Sequence, residues 1–196
     1  MRKGKNAERC RLCGFRKEWC ICSEIGRADI KARLIIIQHT MDAVKPSNTA
    51  NIIRLASGCE IMRYGGNREE VIDYNYIDSM SPFILYPAED SKPLSKELWI
   101  ESGRPPLIAL DGTWKQAARA AAKFAGRNVK FVRLPEGFSG GGYKLRKSGS
   151  EERLCTGEAV IDALKTMGED TSVLEDALKL FINKNLLIRG RARDIE

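Results

Sequence analysis

The sequence contains no apolar run that approaches the roughly 18 residues of a membrane-spanning helix. Residues 1–5 are basic, but the apolar segment of a secretory signal peptide does not follow them. Internal repeats and low-complexity tracts are also lacking. From these absences we expect a soluble, non-secreted, cytoplasmic protein that does not contact a membrane.

The length of 196 residues fits one domain of ordinary size with a small appendage, and such a domain folds without disulfides. The chain has 33 Lys and Arg against 26 Asp and Glu, which gives a net charge of +7 and an isoelectric point near 9.1. This excess favours a polyanionic partner such as a nucleic acid. A basic surface that only keeps the protein in solution explains it equally well.

Four of the six cysteines fall within the first 22 residues, as Cys10, Cys13, Cys20 and Cys22. In a reducing compartment such a density indicates a metal site, and four thiolates at these spacings can surround zinc as a tetrahedron. A labile redox cluster is the alternative, whereas catalysis by the metal is disfavoured because four thiolates leave no open position. We therefore predict a cysteine-rich zinc knuckle at residues 1–28 and a separate, larger domain at residues 29–196.

Apolar patterning predicts an α/β fold for the larger domain. The β-branched run at residues 33–37 is typical of a strand buried on both faces, and it ends at Gln38 and His39. Further strands are predicted at 59–64, 83–86, 107–110 and 129–134, and helices at 49–57, 115–125, 157–167 and 173–187. Because strands alternate with helices, we expect a mostly parallel sheet with helices on both faces.

The motif Asp111-Gly112-Thr113-Trp114 lies at a predicted strand-to-helix turn, where open α/β sheets place their chemistry. Gly112 permits a sharp turn, Thr113 can cap the following helix, and Trp114 offers a large flat ring. A turn that only caps a helix and packs an indole explains the same residues.

Residues 136–152 form a glycine-rich, basic segment that is long for a loop in a compact domain. Tyr143 can stack on a base, and Arg146 and Lys147 can contact phosphates. An ordinary solvated loop is the alternative for this segment.

Four separated elements, at residues 39–49, 85–87, 111–114 and 145–158, together resemble the DTW-domain family. The Asp-(x)-Thr-Trp motif of that family matches residues 111–114, its His-Pro-x-Glu pattern is similar to residues 39–42, and its Asn-Thr pair is matched by Asn48-Thr49. Its Ser-Thr-x-Glu-Ala pattern resembles residues 155–159, and the resemblance covers roughly residues 10–167.

Three positions depart from the family pattern. Thr40 stands where the family favours Pro, Asp42 where it favours Glu, and Cys155 where it favours Ser. The last change keeps a small side chain but weakens its hydrogen bonding.

The resemblance implies a tRNA-uridine aminocarboxypropyltransferase related to the SPOUT methyltransferases, with a knotted sheet. Such an enzyme transfers the 3-amino-3-carboxypropyl group of S-adenosylmethionine to N3 of a uridine and releases methylthioadenosine. On that basis Asp111 either removes the N3 proton as a general base or binds the ammonium group of the co-substrate. His39 takes a substrate-side role in the family pattern, whereas by itself a lone histidine is more often a satisfied core residue.

The resemblance also nominates the residues of each site. The implied catalytic residues are Asp111, Trp114, Thr113 and His39. The implied S-adenosylmethionine site contains Leu85, Tyr86, Pro87, Leu110, Gly112, Leu145, Thr156 and Glu158. The implied RNA contacts are Asn48, Thr49, Tyr143, Arg146 and Lys147, and the zinc ligands are Cys10, Cys13, Cys20 and Cys22. Asn48, Thr49, Thr156 and Glu158 are equally typical of helix N-termini.

The expected partners are tRNA and S-adenosylmethionine, and we expect a monomer. Two other functions fit the same sequence. One is an RNA methyltransferase on the same scaffold. The other is a non-catalytic zinc-ribbon RNA-binding protein, in which Asp111 and Trp114 are merely structural.

Overall fold

The computed structural model describes residues 8–66, 72–136 and 154–191. The strands are β1 (Leu34–His39), β2 (Glu60–Tyr64), β3 (Phe83–Leu85), β4 (Lys92–Pro93), β5 (Leu107–Asp111) and β6 (Lys130–Arg133). The helices are α1 (Thr40–Ala43), α2 (Ala50–Ser57), α3 (Tyr74–Met80), α4 (Lys96–Glu101), α5 (Trp114–Ala122), α6 (Thr156–Thr166) and α7 (Ser172–Ile188), and a 3₁₀ turn spans Lys17–Trp19. The predicted site residues Tyr143, Leu145, Arg146 and Lys147 lie outside the described residues.

The six strands form one sheet in the order β2-β1-β5-β3-β6-β4, and every neighbouring pair is parallel. The prediction of a mostly parallel sheet is therefore confirmed. In the register between β1 and β5, Gln38 lies beside Asp111. Because the strands share one direction, their carboxyl ends meet at a single edge of the sheet.

Both faces of the sheet are covered, as the continuous apolar strand β1 predicts. On one face Ile36 packs in a cluster with residues of α2, α6 and α7. On the other face Ile35 and Ile37 pack with Ile77 of α3 and with Phe124, which follows α5. Successive side chains of a strand point to opposite faces, so β1 contributes to both clusters.

The predicted strands at 33–37, 59–64, 83–86, 107–110 and 129–134 correspond to β1, β2, β3, β5 and β6, and the four predicted helices to α2, α5, α6 and α7. Three short helices, α1, α3 and α4, and the two-residue strand β4 were not predicted. The knot implied by the family resemblance stays a prediction, because the chain path through residues 137–153 lies outside the described residues. Within the described ranges, every helix is too short or too polar to span a bilayer.

Candidate active site

The side chain of Asp111, the last residue of β5, is buried and bonded to three donors. Its Oδ2 accepts hydrogen bonds from Nδ2 of Asn48 at 2.7 Å and from Nε2 of Gln38 at 3.2 Å. Its Oδ1 accepts one from the hydroxyl of Thr156 at 2.6 Å. Asp111 is only 4% exposed, so these bonds replace the water that a carboxylate otherwise needs. The carboxylate thereby connects β5 to β1 and to the starts of α2 and α6.

Gln38 extends this network towards α2, and sequence analysis did not nominate it. Its Nε2 lies 3.3 Å from Oδ1 of both Asn48 and Asn51. Its amide oxygen, Oε1, is buried and has no hydrogen-bond partner among the described residues. The available signal was the position of Gln38 at the end of β1, because neighbouring parallel strands bring their last residues together.

Asn48 and Thr49, the predicted RNA contacts, are 8% and 3% exposed. The amide of Asn48 donates to Asp111, and its Oδ1 accepts from the backbone N–H of Asn51 at 3.1 Å. Thr49 Oγ1 accepts from the backbone N–H of Gly157 at 3.0 Å. Both side chains therefore hold α2 against Asp111 and α6, and an RNA contact by either residue stays a prediction.

A cavity of about 320 Å³ opens beside Asp111 at the carboxyl ends of β5, β3 and β6. Seven residues nominated from the sequence line it: Leu85, Tyr86, Pro87, Leu110, Gly112, Trp114 and Thr156. Sequence analysis did not nominate the others, which are Ala109, Ala117, Arg133, Leu134, Pro135, Leu154, Cys155 and Ala159. The ends of β3, β5 and β6 and the N-termini of α5 and α6 thus converge on one pocket.

Two aromatic rings form part of the wall of this cavity. The ring centroids of Tyr86 and Trp114 are 6.5 Å apart with an interplanar angle of 49°, and Trp114 is 43% exposed. Thr156 and Arg133 are the lining residues with strongly polar side chains, and most of the others are apolar. Such a cavity suits a flat, partly apolar ligand that carries a few charged groups.

Capping boxes fix the two helix starts that border the cavity. At α5, the backbone N–H of Gln116 donates to Thr113 Oγ1 at 3.3 Å, and Gln116 Oε1 accepts from the N–H of Thr113 at 2.6 Å. At α6, the backbone N–H of Glu158 donates to Cys155 Sγ at 3.4 Å, and Glu158 Oε2 accepts from the N–H of Cys155 at 2.8 Å. The side chains of Thr113 and Glu158 therefore accept hydrogen bonds from backbone N–H groups, and neither residue lines the cavity.

Cys155 is buried between α6 and the cavity. Burial, together with the nearby carboxylate of Glu158, raises the pKa of its thiol to about 12. The thiol stays protonated at neutral pH and acts as a helix cap, as serine would at this position.

His39 lies at the end of β1, outside the lining of the cavity. Its Nδ1 accepts a hydrogen bond from the backbone N–H of Met41 at 3.2 Å, and its ring centroid lies 5.0 Å from that of Tyr64, with the two rings nearly perpendicular. Gly65 has a φ of +79°, and a Cβ there would lie 2.5 Å from His39 Nε2. Only glycine fits that position, so the histidine ring is held closely.

Asp42 follows His39 in α1 and is 3% exposed. One of its oxygens pairs with Lys45, and the other, Oδ2, has no hydrogen-bond partner among the described residues. Burial, with Asp111 and Asp42 nearby, raises the pKa of Tyr64 to about 12. A second cluster of polar side chains, His39, Asp42 and Tyr64, thus lies at the carboxyl ends of β1 and β2 next to the Asp111 network.

The four N-terminal cysteines converge as the sequence predicts. All their sulfur atoms lie within 4.8 Å of one another, with 3.6 Å between Cys10 and Cys22 and 3.7 Å between Cys13 and Cys20. A tetrahedral zinc site with Zn–S bonds of about 2.3 Å has sulfur–sulfur edges of about 3.8 Å. The donor set and its spacing fit zinc, and four thiolates fill its coordination, so the site suits a structural role.

The cysteine cluster is anchored to the main hydrophobic core. Cys13, Phe15 and Ile21 are at most 3% exposed and belong to the same cluster as α7. The rings of Phe15 and Phe181 lie 5.3 Å apart. A change at the metal site therefore reaches the packing of α7 directly.

Comparisons with known proteins give the family of this chain. The tRNA-uridine aminocarboxypropyltransferase 2 of Drosophila melanogaster is 27% identical to the chain over 159 residues, which are 76% of this chain and 61% of that protein. The chain therefore spans less than two thirds of the length of this relative. The structure of the SAM-dependent rRNA:acp-transferase Tsr3 from Vulcanisaeta distributa is similar with a TM-score of 0.48 and 20% identity, covering 84% of this chain and 85% of that one. Residues 7–186 match the DTW domain, and the chain belongs to the DTW-domain family.

Proposed function

We propose that this protein is a tRNA-uridine aminocarboxypropyltransferase that uses S-adenosylmethionine as its co-substrate. The observation that carries the proposal is the cavity at the carboxyl edge of the sheet. Residues from three separate parts of the chain that the family resemblance singles out line it: Tyr86, Trp114 and Thr156. Membership of the DTW-domain family and the named Drosophila relative support the same reaction.

The cavity has the size and lining for the co-substrate. Its volume of about 320 Å³ lies at the lower end of the roughly 300–1,000 Å³ of small-molecule sites. The rings of Tyr86 and Trp114 offer faces for the adenine and for the positively charged sulfonium, since a cation is attracted to an aromatic face. The apolar residues Leu85 and Leu110 exclude water around the reacting carbon.

The reaction itself is a substitution at carbon. The uridine N3 gives up its proton to solvent water, and its electron pair forms a bond to the methylene carbon next to sulfur in the amino-acid arm. The bond between that carbon and sulfur breaks, its electron pair stays on sulfur, and methylthioadenosine leaves as a neutral thioether. Methyl transfer differs only in the carbon that faces N3, so the protein selects the product by positioning.

Asp111 supplies the negative charge that orients the co-substrate. Three donors occupy its carboxylate, and it is 4% exposed, which keeps it from reaching a uridine proton directly. Because the Thr156 hydroxyl donates to Asp111, its lone pairs remain for a donor in the cavity. We assign Thr156 to the ammonium group of the amino-acid arm, with Asp111 as the positioning residue behind it.

The reaction is tested with co-substrate that carries two labels, ¹⁴C in the carboxyl group and ³H in the methyl group. With an unmodified tRNA transcript we expect ¹⁴C in the RNA and ³H in methylthioadenosine, and mass spectrometry of the nucleosides should show an aminocarboxypropylated uridine. Omitting the protein is the control. Tritium in the RNA would instead indicate a methyltransferase. Neither label in RNA that the protein still binds would indicate a non-catalytic RNA-binding protein.

A further inference from the structure

One continuous stretch of the chain carries most of the excess positive charge. Residues 112–135 contain no Asp or Glu, whereas the whole protein has 26. The same stretch contains six basic residues at intervals of three or four: Lys115, Arg119, Lys123, Arg127, Lys130 and Arg133. It begins in the DTW motif and ends at the wall of the cavity. The distribution of charge is therefore uneven, and the stretch that carries it lines the candidate active site at both of its ends.

Three of these six side chains have partners within the protein. Arg127 pairs with Asp78 at 2.8 Å, and Lys130 donates to the hydroxyl of Ser102 at 3.0 Å. Arg133 donates to the backbone carbonyl of Ser91. These three contacts stabilise the fold around β6 and account for half of the basic set.

The other three, Lys115, Arg119 and Lys123, form what we call the basic face of α5. All three side chains are exposed, and none has a hydrogen bond or ion pair to another residue within the described part of the chain. Their spacing of four residues places one positive charge about every 6 Å along the helix. No opposite charge within the helix offsets them, so like charges at this spacing repel and weaken the isolated helix slightly.

The surface between these charges consists of small, exposed side chains. Ala118 and Ala122 are the exposed neighbours of the basic side chains, whereas Ala117, Ala120 and Ala121 are buried against the protein. A methyl group is too small to keep a nucleic-acid backbone away from the basic side chains, and it is too small to anchor a protein partner by apolar contact. A row of charges on such a surface suits a polyanion whose charges are also arranged in a row.

The face also begins at the reaction site. Trp114 is the first residue of α5, lines the cavity and is 43% exposed. From there the helix leads away over nine residues, or about 13 Å. We propose that the basic face of α5 binds the phosphates of tRNA next to the modified uridine, so that the backbone follows α5 while the base enters beside Trp114. This inference rests on the proposed function and names the surface that holds its RNA.

The test compares two triple variants of the full-length protein in direct binding to a tRNA transcript. K115Q/R119Q/K123Q removes the basic face, and glutamine keeps a comparable helix propensity. K31Q/K96Q/K179Q removes the same charge from exposed positions elsewhere. Affinity is measured by fluorescence anisotropy at several salt concentrations.

For the α5 variant we expect tRNA affinity to fall about 100-fold at about 0.15 M salt, and the slope of log affinity against log salt to flatten by about 2 to 3. The control variant should change affinity much less, and both should bind S-adenosylmethionine like the wild type. Equal affinity and slope in the two variants would overturn the proposal and would favour a different partner for this face. Because binding is measured without turnover, a wild-type protein that binds tRNA but transfers nothing would contradict the proposed function alone.

Discussion

Replacing Asp111 with asparagine is expected to lower kcat/KM for S-adenosylmethionine about 10- to 100-fold while tRNA affinity stays unchanged. Asparagine has the same shape, but one carboxylate oxygen becomes an N–H donor and the charge is lost. Its amide nitrogen cannot face Gln38 and Asn48, because both donate to Oδ2. The nitrogen must then face Thr156, whose hydroxyl turns its proton towards the cavity. A charge-assisted hydrogen bond of roughly 1.5–3 kcal/mol is lost, which is a factor of about 10 to 100.

Calorimetry with S-adenosylmethionine and steady-state kinetics distinguish this role from a purely structural one. Thr156→Val should reproduce the weaker co-substrate binding, and Thr156→Ser, which keeps the hydroxyl, should restore it. Thermal unfolding checks that each variant is folded. Unchanged kcat/KM in folded Asp111→Asn would contradict the proposed role. An altered pH profile of kcat with unchanged co-substrate affinity would also contradict it, because that result is expected of a general base.

Replacing Cys13 with serine is expected to release the metal and to lower the free energy of unfolding by about 4 kcal/mol or more. Serine does not replace a thiolate as a zinc ligand, and Cys13 is 2% exposed within the cluster. Loss of the metal frees the chain around Phe15, whose ring packs on Phe181 of α7. The destabilisation should therefore extend into the core instead of remaining at the N-terminus.

Elemental analysis and urea denaturation measure the two effects. The wild type should contain one zinc ion per chain. Cys59→Ser is the matched control, because Cys59 lies outside the metal cluster, and it should keep both the zinc and most of the stability. A Cys13→Ser protein that is as stable as the wild type, or a wild type without bound metal, would contradict a structural zinc site.

The strands and helices that the sequence predicts are those whose apolar pattern identifies them without any other signal. In β1 and β5 almost every side chain is buried, so the strands appear as uninterrupted apolar runs. In α2, Gly58 adopts a φ of +73° directly after the last helical residue. This is the helix-ending role expected of glycine.

The short elements were missed because their apolar residues are too few to show a period. α3 and α4 contribute one buried residue each, Ile77 and Trp99. Their caps, Asp73 and Ser95, accept hydrogen bonds from Tyr76 and Leu98 and were the only local signals. The order of strands was also beyond the sequence, because pairing is decided by packing across the whole sheet.

For the site, the structure brings some of the nominated residues together at the cavity and directs others into helix caps. Trp114 and Thr156 line the cavity as the family resemblance implies. Thr113 and Glu158 have equally suitable side chains, but helix caps occupy them. Gln38 was missed because its importance depends on Asp111, which is 73 residues away in the chain. Such long-range pairs are set by strand register, which one sequence does not reveal.

A crystal structure of the protein with bound S-adenosylmethionine locates the co-substrate without any assumption about turnover. We expect the adenosyl group against Trp114 and Tyr86, with the ammonium group at the hydroxyl of Thr156. Co-substrate bound at any other surface, with this cavity empty, would contradict it.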